Sequence, residues 1–111
     1  MADEDGVYGC GTDSTMPVGS RPQGVSAEGV HDLSGNVWEW VEDADMLDPD
    51  MTYDDTPTDG SAAVDEGSLD RVARGGGFPN IARFLVSWIH KDYDKNSSSA
   101  YYLGFRCCRS K

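Results

Sequence analysis

The sequence feature that most constrains the fold is NVWEWVE at residues 36–42, which carries two of the chain's three tryptophans. Its valines and Glu39 alternate with Trp38 and Trp40, which is the pattern of a β-strand with aromatic side chains on one face. Only 38% of the 111 residues are hydrophobic and 13 are glycine, a composition typical of one loop-rich domain rather than a helix bundle. We therefore predict that Trp38 and Trp40 fill the core of a small domain.

The rest of the chain predicts short strands separated by long loops. RVARGGGF at residues 71–78 is typical of a strand that breaks at three glycines, where another part of the backbone approaches closely or the strand bulges. The closing YYLGFRCCR is predicted to form the last strand. Three regions lack a clean period and are predicted to be irregular: residues 1–29 apart from a short extended piece at Met16–Val18, an acidic surface loop at residues 43–70, and residues 79–102.

The formal net charge of −11 argues against a nucleic-acid partner, because such proteins need basic patches to neutralise phosphates. Residues 41–70 contain no Lys or Arg, whereas the chain from Arg71 onward is mildly basic. We interpret the acidic stretch as a solvated loop, since the alternative, Ca²⁺ capture, lacks the D-x-D-x-D-G pattern and its terminal Glu. No apolar run is long enough to predict membrane insertion, and the N-terminal MADEDGVYG lacks the features of a signal peptide.

The cysteines and histidines predict neither a catalytic site nor a zinc site. Cys10, Cys107 and Cys108 form an odd set without a C-x-x-C motif, which excludes a Cys₄ zinc site. A disulfide from Cys10 to either of the others and three free thiols are both compatible with the sequence. His31 and His90 have no zinc-binding spacing, and we expect His90 to lie in a loop as a surface or ligand-contact residue. No catalytic residue is predicted.

Three blocks occur in a specific order: PVGSRPQGVSAEGVHDLSGNVWEW, then RVARGGGF, then LGFRC. Together they resemble the C-terminal part of the formylglycine-generating-enzyme/sulfatase-modifying superfamily, whose members share a C-type-lectin-type fold. The resemblance implies an α+β fold with a small twisted antiparallel sheet, long irregular loops and few helices. Residues 1–111 would form a single domain of this type, or the C-terminal part of a longer family domain.

The resemblance to the enzymes of this superfamily implies a copper ion held by two cysteines between the R-G-G and G-F-R blocks. The corresponding interval of this chain, residues 78–102, contains no cysteine, and Cu(I) prefers thiolate ligands. We therefore expect no copper and no enzymatic activity. An active or degenerate formylglycine-generating oxidase is the alternative.

The chain also resembles a second branch of the same fold, the variable proteins of diversity-generating retroelements. These proteins bind ligands through a segment, between the same two blocks, that is diversified at asparagine codons. The resemblance implies that residues 79–102 are a variable ligand-binding segment, with a protein or cell-surface ligand as partner. It favours a location at the cell surface, in the secreted fraction or on a virion, and leaves the oligomeric state open. A structural module without a specific ligand is a third interpretation.

The candidate ligand-binding residues are the polar and aromatic side chains of this segment, which match the composition of binding loops. They are Asn80, Ile81, Phe84, Trp88, His90, Asp92, Tyr93, Asp94, Asn96, Ser98, Tyr101 and Tyr102. We expect the three tyrosines to form contact surface. In the apolar group formed by Phe84, Leu85, Trp88 and Ile89, we expect at least two residues to be buried.

The resemblance also implies a possible calcium site at Asp32, Gly35, Val37 and Glu39. Two carboxylates and the carbonyls of residues 35 and 37 would supply the hard oxygen ligands that Ca²⁺ prefers. The alternative makes Glu39 a buried acceptor, paired with an arginine or with backbone N–H groups of the G-G-G stretch, because an unpaired buried carboxylate is costly.

Overall fold

Four strands organise the part of the chain that the computed structural model describes, which is residues 13–44, 57–64, 67–94 and 100–108. They are β1 at Trp38–Ala44, β2 at Asp70–Arg74, β3 at His90–Asp94 and β4 at Leu103–Gly104, and they form one sheet in the order β3-β2-β1-β4. The helices within the described ranges are short 3₁₀ turns at Pro22–Gly24 and Ala82–Phe84. The predicted α+β class, a small sheet with long irregular loops and few helices, is confirmed.

The sheet is mixed, and in this respect it differs from the antiparallel sheet that we predicted. Strand β2 runs antiparallel to both β1 and β3, whereas β4 runs parallel to β1, with Trp38 opposite Leu103 and Glu39 opposite Gly104. Two neighbouring parallel strands need a long connection between them. The connection from β1 to β4 is the part of the chain that contains β2 and β3. The parallel pair places the W-E-W and L-G-F-R motifs side by side.

The core is small and is formed by the two ends of β1 and the middle of β2. Among the described residues, its hydrophobic members are Trp38, Ala44, Ala63, Val72 and Ala73, and Trp38 is only 2% exposed. The predicted burial of the aromatic face of β1 holds only for Trp38, because Glu39, Trp40 and Val41 are all half-buried and burial does not alternate along the strand. Trp40 also meets the ring of Tyr93 edge-on at a centroid distance of 5.7 Å. One tryptophan therefore fills the core, and the other packs beside it.

The glycines after β2 allow two parts of the backbone to approach closely, as the sequence predicted. Gly76 has a positive φ of +71°, and a Cβ atom there would lie 2.6 Å from Leu85 Cδ2 and 2.9 Å from the Phe84 carbonyl oxygen. Only glycine combines this left-handed backbone with the absence of a side chain. The contact fixes the 3₁₀ turn at Ala82–Phe84 against the end of β2.

The predicted acidic loop at residues 43–70 is described in part, since residues 45–56 and 65–66 lie outside the described residues. Its ends belong to strands, because β1 continues to Ala44 and β2 begins at Asp70. Ala63 is buried, accepts the N–H of Ala44 at 2.8 Å and donates its own N–H to the Asp43 carboxylate at 2.8 Å. The loop therefore packs against the end of β1 at this point.

Two predictions of local structure in the C-terminal half were wrong. His90 lies in β3 rather than in a loop, and β3 pairs with β2 along its whole length, from Asp70 opposite Asp94 to Arg74 opposite His90. The last strand spans only Leu103–Gly104 instead of the whole YYLGFRCCR stretch. Near the other end, the expected extended piece at Met16–Val18 is not a strand but leads into a turn, in which the Ser20 N–H donates to the Pro17 carbonyl.

The expected burial of the apolar residues in segment 79–102 was also wrong. Phe84, Leu85 and Ile89 are half-buried, and Trp88 is 68% exposed. The reason is that Phe84, Leu85, Trp88 and Ile89 all lie between β2 and β3, outside the sheet. The sheet buries side chains of its own strands. A core of this size is too small to bury the connecting segment as well.

Candidate functional site

The side chain of Asn80 holds the start of segment 79–102 against the core. Its Oδ1 accepts the indole N–H of Trp38 at 2.7 Å and the backbone N–H of Gly77 at 2.8 Å. A buried indole needs such an acceptor, because an unpaired N–H away from water is costly. With Oδ1 engaged by two donors, a ligand contact predicted for Asn80 would have to use its amide nitrogen.

The predicted ligand-binding residues differ widely in exposure. Asn96 and Ser98 lie outside the described residues. Large aromatic side chains are among the most exposed of the others, since Trp88 is 68% and Tyr101 is 76% exposed. The remaining members divide into two exposed residues, His90 and Asp92, and six half-buried ones, Asn80, Ile81, Phe84, Tyr93, Asp94 and Tyr102.

Contacts between rings bring the two C-terminal tyrosines of the segment together. Tyr101 meets Tyr102 edge-on at a centroid distance of 5.0 Å, and it meets Phe78 at 5.8 Å. Edge-to-face and tilted arrangements at such distances are favourable for aromatic pairs. Tyr101 is thus fixed in position although most of its surface faces solvent, which suits a rigid contact residue.

Cations cover two further aromatic rings of the segment. The Arg83 guanidinium carbon lies 5.1 Å from the centre of the Phe84 ring, and the Lys91 ammonium lies 5.2 Å from the centre of the Tyr93 ring. Both distances are within the range of cation–π attraction. Strand β3 therefore combines aromatic surface with charges of both signs, with Lys91 and Tyr93 on one face and the exposed Asp92 on the other.

The hydroxyl group of Tyr93 is buried and has no hydrogen-bond partner among the described residues. Burial raises the pKa of this phenol well above its ordinary value of 10.0, and the neighbouring Tyr102 and Asp92 raise it further. Tyr93 consequently remains neutral in the folded protein at physiological pH. Its ring meets the Trp40 ring edge-on, and its hydroxyl group lies beside Tyr102.

A second site joins the W-E-W motif to the G-F-R motif through Glu39 and Arg106. Arg106 donates from Nε and Nη2 to the two carboxylate oxygens of Glu39, each at 2.5 Å. It also donates to the carbonyls of His31 at 2.8 Å and Asp32 at 3.1 Å. The hydrogen bond to Glu39 raises the pKa of the Arg106 guanidinium. The arginine-paired alternative for Glu39 is the arrangement that the structure contains.

This arrangement does not offer Ca²⁺ a free set of oxygens at Asp32, Gly35, Val37 and Glu39. Arg106 engages both oxygens of Glu39, and one oxygen of Asp32 accepts the N–H of Gly19 at 2.6 Å. Within residues 13–44, 57–64, 67–94 and 100–108, no cluster of three or more His, Cys, Asp or Glu could hold a metal ion. The calcium site stays a prediction, and binding there would require Arg106 to move.

Sequence reasoning named Glu39 but missed Arg106 as its specific partner. The signal was present in the L-G-F-R block, where an arginine follows the last strand. Glu39 and Arg106 are 67 positions apart in the sequence. The sequence alone does not show that they meet, whereas the parallel pairing of β1 with β4 does.

A comparison with family models identifies the family of this domain. A model of the sulfatase-modifying factor enzyme 1-like domain matches residues 5–111, nearly the whole chain. The chain belongs to this family. No curated protein and no solved structure matches it.

Membership in the sulfatase-modifying factor family does not by itself specify catalysis. Cys107 and Cys108 of this family member are exposed free thiols, and they follow the G-F-R motif instead of preceding it. They therefore do not lie in the interval where the resemblance implies copper-binding cysteines. None of the helices in the described ranges has the length and apolar character needed to cross a membrane.

Proposed function

We propose that this sulfatase-modifying factor domain is the ligand-binding variable protein of a diversity-generating retroelement, and that segment 79–102 presents its binding surface on a C-type-lectin-type scaffold. The observation that carries the proposal is the exposure of large aromatic side chains in a segment whose ends are fixed by residues outside it. Trp88 and Tyr101 are 68% and 76% exposed, while Trp38 and β1 hold the two ends of the segment.

A scaffold of this kind separates binding from folding. The hydrogen bonds that fix the segment involve Trp38, Gly77 and Asn80 at its start and the β1–β4 pair at its end. Substitutions at exposed positions such as Trp88 and Tyr101 leave those contacts intact. Exposed aromatic residues provide large contact areas at low cost in conformational entropy, and they are frequent at the energetic centres of interfaces.

The proposed ligand is a protein or another cell-surface molecule. A nucleic-acid ligand is disfavoured, because the net charge of −11 repels phosphates. We propose a location at the cell surface, in the secreted fraction or on a virion, because the protein can reach such a ligand there.

The direct test is to sequence this locus in sibling isolates. We expect differences to concentrate in codons of residues 79–102 that contain adenine, with the W-E-W, R-G-G and G-F-R motifs unchanged. Differences spread evenly along the chain, or an invariant segment, would contradict diversification.

A binding experiment tests the surface itself. Fluorescently labelled protein is applied to a panel of cell types and its binding is measured by flow cytometry, first for the unchanged chain and then for the double variant Trp88→Ala/Tyr101→Ala. The matched control is Val18→Ala/Val64→Ala, which also removes two exposed hydrophobic side chains, 87% and 69% exposed, but outside the segment. We expect the first variant to lose at least about tenfold in affinity and the control to bind unchanged. Equal losses would contradict the assignment.

The alternative function is that of a formylglycine-generating oxidase, with which family membership is equally compatible. It requires oxidation of a cysteine in a sulfatase-derived peptide in the presence of copper. The test is mass spectrometry of such a peptide after incubation with the protein, copper, oxygen and a thiol reductant, which supplies the two electrons that O₂ needs beyond those from the cysteine. Conversion of the cysteine to formylglycine would replace the binding proposal, and an unmodified peptide is the result that we expect.

A further inference from the structure

An exposed bend in the acidic loop, at residues 57–61, contains the dipeptide Asp59–Gly60. Gly60 has a positive φ of +88°, and a Cβ atom there would have nothing within 4 Å. Because glycine has no side chain, its backbone nitrogen is open to approach by the carboxyl group of the preceding aspartate. Neither the family match nor the exposed surface of segment 79–102 assigns a role to this bend.

Ser61 holds the carboxylate of Asp59 against the backbone. Asp59 Oδ1 accepts the backbone N–H of Ser61 at 2.9 Å and the Ser61 hydroxyl at 2.6 Å. The hydrogen bond to the N–H closes a ring that includes the Gly60 nitrogen, so the carboxyl group is kept near this nitrogen instead of extending into solvent. Both donors stabilise negative charge on the carboxylate, and the Ser61 hydroxyl contributes most to lowering the pKa of Asp59.

Asp43 shows the opposite arrangement in the same protein. Its carboxylate accepts the N–H of Ala63 at 2.8 Å, but the residue that follows it, Ala44, donates its own N–H to the Ala63 carbonyl at 2.8 Å. Within the described part of the chain, no acceptor takes the Gly60 N–H. The nitrogen after Asp59 is therefore available for reaction, whereas a hydrogen bond engages the nitrogen after Asp43.

We propose that Asp59 is a modification site, at which the link to Gly60 isomerises spontaneously from the aspartyl to the isoaspartyl form, and that Ser61 is the residue that positions the carboxyl group for this reaction. The proposal goes beyond the binding function given above and does not depend on diversification of segment 79–102.

The reaction has two steps and consumes no oxidant or reductant. In the first step, the Gly60 nitrogen bonds to Cγ of Asp59 and forms a cyclic imide. One carboxylate oxygen leaves as water, with the amide proton and one proton from solvent. In the second step, water adds to the backbone carbonyl of residue 59 and breaks its original bond to the Gly60 nitrogen. The nitrogen recovers its proton, a free α-carboxylate and a solvent proton are released, and the total mass is unchanged.

Ser61 favours the first step. A carboxylate shares its negative charge between two oxygens, whereas addition of the nitrogen to Cγ concentrates the charge on one oxygen. Both donors of Ser61 point at Oδ1, so they stabilise the adduct more than they stabilise the carboxylate. Water competes with these donors at an exposed position, and the effect is smaller than in a closed active site.

The test keeps the purified protein at physiological temperature in neutral buffer for several weeks. The protein is then digested with an endoproteinase that cleaves before aspartate but not before isoaspartate. We expect resistance to cleavage to develop at least about tenfold faster at residue 59 than at residue 43, because only Gly60 presents an oriented and unengaged nitrogen. Mass spectrometry should find the resistant peptide unchanged in mass. Equal resistance at the two residues would overturn the proposal.

Two substitutions at the exposed Ser61 test its positioning role. Ser61→Ala removes the hydroxyl donor and keeps the backbone donor, and we expect it to slow the modification by at least about threefold. Ser61→Thr keeps a hydroxyl donor and should stay within about twofold of the unchanged protein. Thermal unfolding shows that each variant is folded. If Ser61→Ala reacts as fast as the unchanged protein, Ser61 does not promote the reaction.

Isomerisation also has a consequence for the end of β1. It lengthens the backbone by one methylene group shortly before Ala63, whose carbonyl accepts the Ala44 N–H. We expect the isoaspartyl form to exchange the amide hydrogen of Ala44 faster than the original form, as measured by NMR. Unchanged exchange would contradict this consequence and would confine the effect of the modification to the bend.

Discussion

The Arg106 side chain joins the segment after β4 to β1 and to the coil that precedes it. Its guanidinium meets the Glu39 carboxylate and two backbone carbonyls at residues 31 and 32. The side chains of Arg106 and Glu39 are only 33% and 21% exposed, so removal of either partner leaves the other with little water to replace it. A planar guanidinium fits this bidentate geometry, whereas an ammonium does not.

We predict that Arg106→Ala lowers the free energy of unfolding by about 2–4 kcal/mol, because it leaves a half-buried carboxylate unpaired. Arg106→Lys should lose about half as much, since one charged hydrogen bond can re-form. Urea denaturation measures both. Arg21→Ala, at an exposed arginine, is the control and should change stability by less than about 0.5 kcal/mol. An equal loss in all three variants would show that Arg106 has no special role.

Calcium provides a second measurement at the same site. In protein stripped by chelator, we expect added Ca²⁺ to leave the melting temperature unchanged, because Arg106 already neutralises Glu39 and stabilisation requires binding to the folded state. A rise in melting temperature would instead support the calcium site predicted at Asp32, Gly35, Val37 and Glu39.

Tyr93 predicts an unusual response to substitution and to pH. Tyr93→Phe removes a buried hydroxyl that lacks a partner among the described residues, so we expect an increase in stability of about 1 kcal/mol. The folded-state pKa of Tyr93 is raised above 10.0, so the unfolded chain releases this proton first and stability falls as the pH rises above that value. Denaturation at neutral and alkaline pH should show a smaller alkaline loss in Tyr93→Phe. Tyr101→Phe, at an exposed position, should match the unchanged protein.

At the scale of elements, the contact between the end of β2 and the 3₁₀ turn depends on Gly76. Gly76 and Gly19 share a φ of +71°, but a Cβ atom at Gly19 would have nothing within 4 Å. Gly19→Ala therefore measures the backbone cost alone, about 1 kcal/mol. Gly76→Ala should cost about 1–3 kcal/mol more, because its Cβ meets Leu85 and the Phe84 backbone. Equal melting temperatures for the two variants would contradict the close approach.

How well each strand could be predicted depends on what stabilises that strand. Strand β1 was predictable because it carries Trp38, a large hydrophobic side chain that the fold buries. Strand β2 was predictable because Val72 and Ala73 are followed by glycines, which end the strand. Strand β3 was missed because HKDYD carries charges at an edge of the sheet, where backbone pairing suffices and charged side chains are tolerated. Strand β4 is two residues long, too short for any period to show.

The site was predictable to a different degree from the fold. Composition led us to predict contact surface in segment 79–102, and of its three tyrosines Tyr101 is exposed whereas Tyr93 and Tyr102 are half-buried. Composition could not indicate that Asn80 supports Trp38, because a side chain that binds a ligand and one that satisfies an indole have the same polarity.

At the scale of the whole molecule, the hydrophobic core is small and the net negative charge is large. The buried hydrophobic residues among those described are one tryptophan, one valine and three alanines. The acidic residues of positions 41–70 have no basic residue between them. Mutual repulsion of these charges is therefore expected to lower the stability of the folded state at low ionic strength.

We predict that the melting temperature rises when sodium chloride is increased from low concentration to about 0.15 M, where the Debye length shortens to about 8 Å. The half-buried pair of Glu39 and Arg106 should be affected little, because salt screens such pairs less than exposed charges. Differential scanning calorimetry measures the shift. A lower melting temperature in salt would mean that attractive surface pairs outweigh the repulsion.

The parallel pair of β1 and β4 has a consequence for how fast the domain folds. The two strands are far apart along the chain, as are Glu39 and Arg106, which are separated by 67 positions. This pair of strands therefore forms only when a long loop of the chain closes. The entropy lost in this closure depends on the number of residues in the loop far more than on their identity, and distant pairings slow folding. Chains of equal length that differ only at exposed positions such as Trp88 and Tyr101 would therefore reach the native state at nearly one rate, whatever ligand each of them recognises.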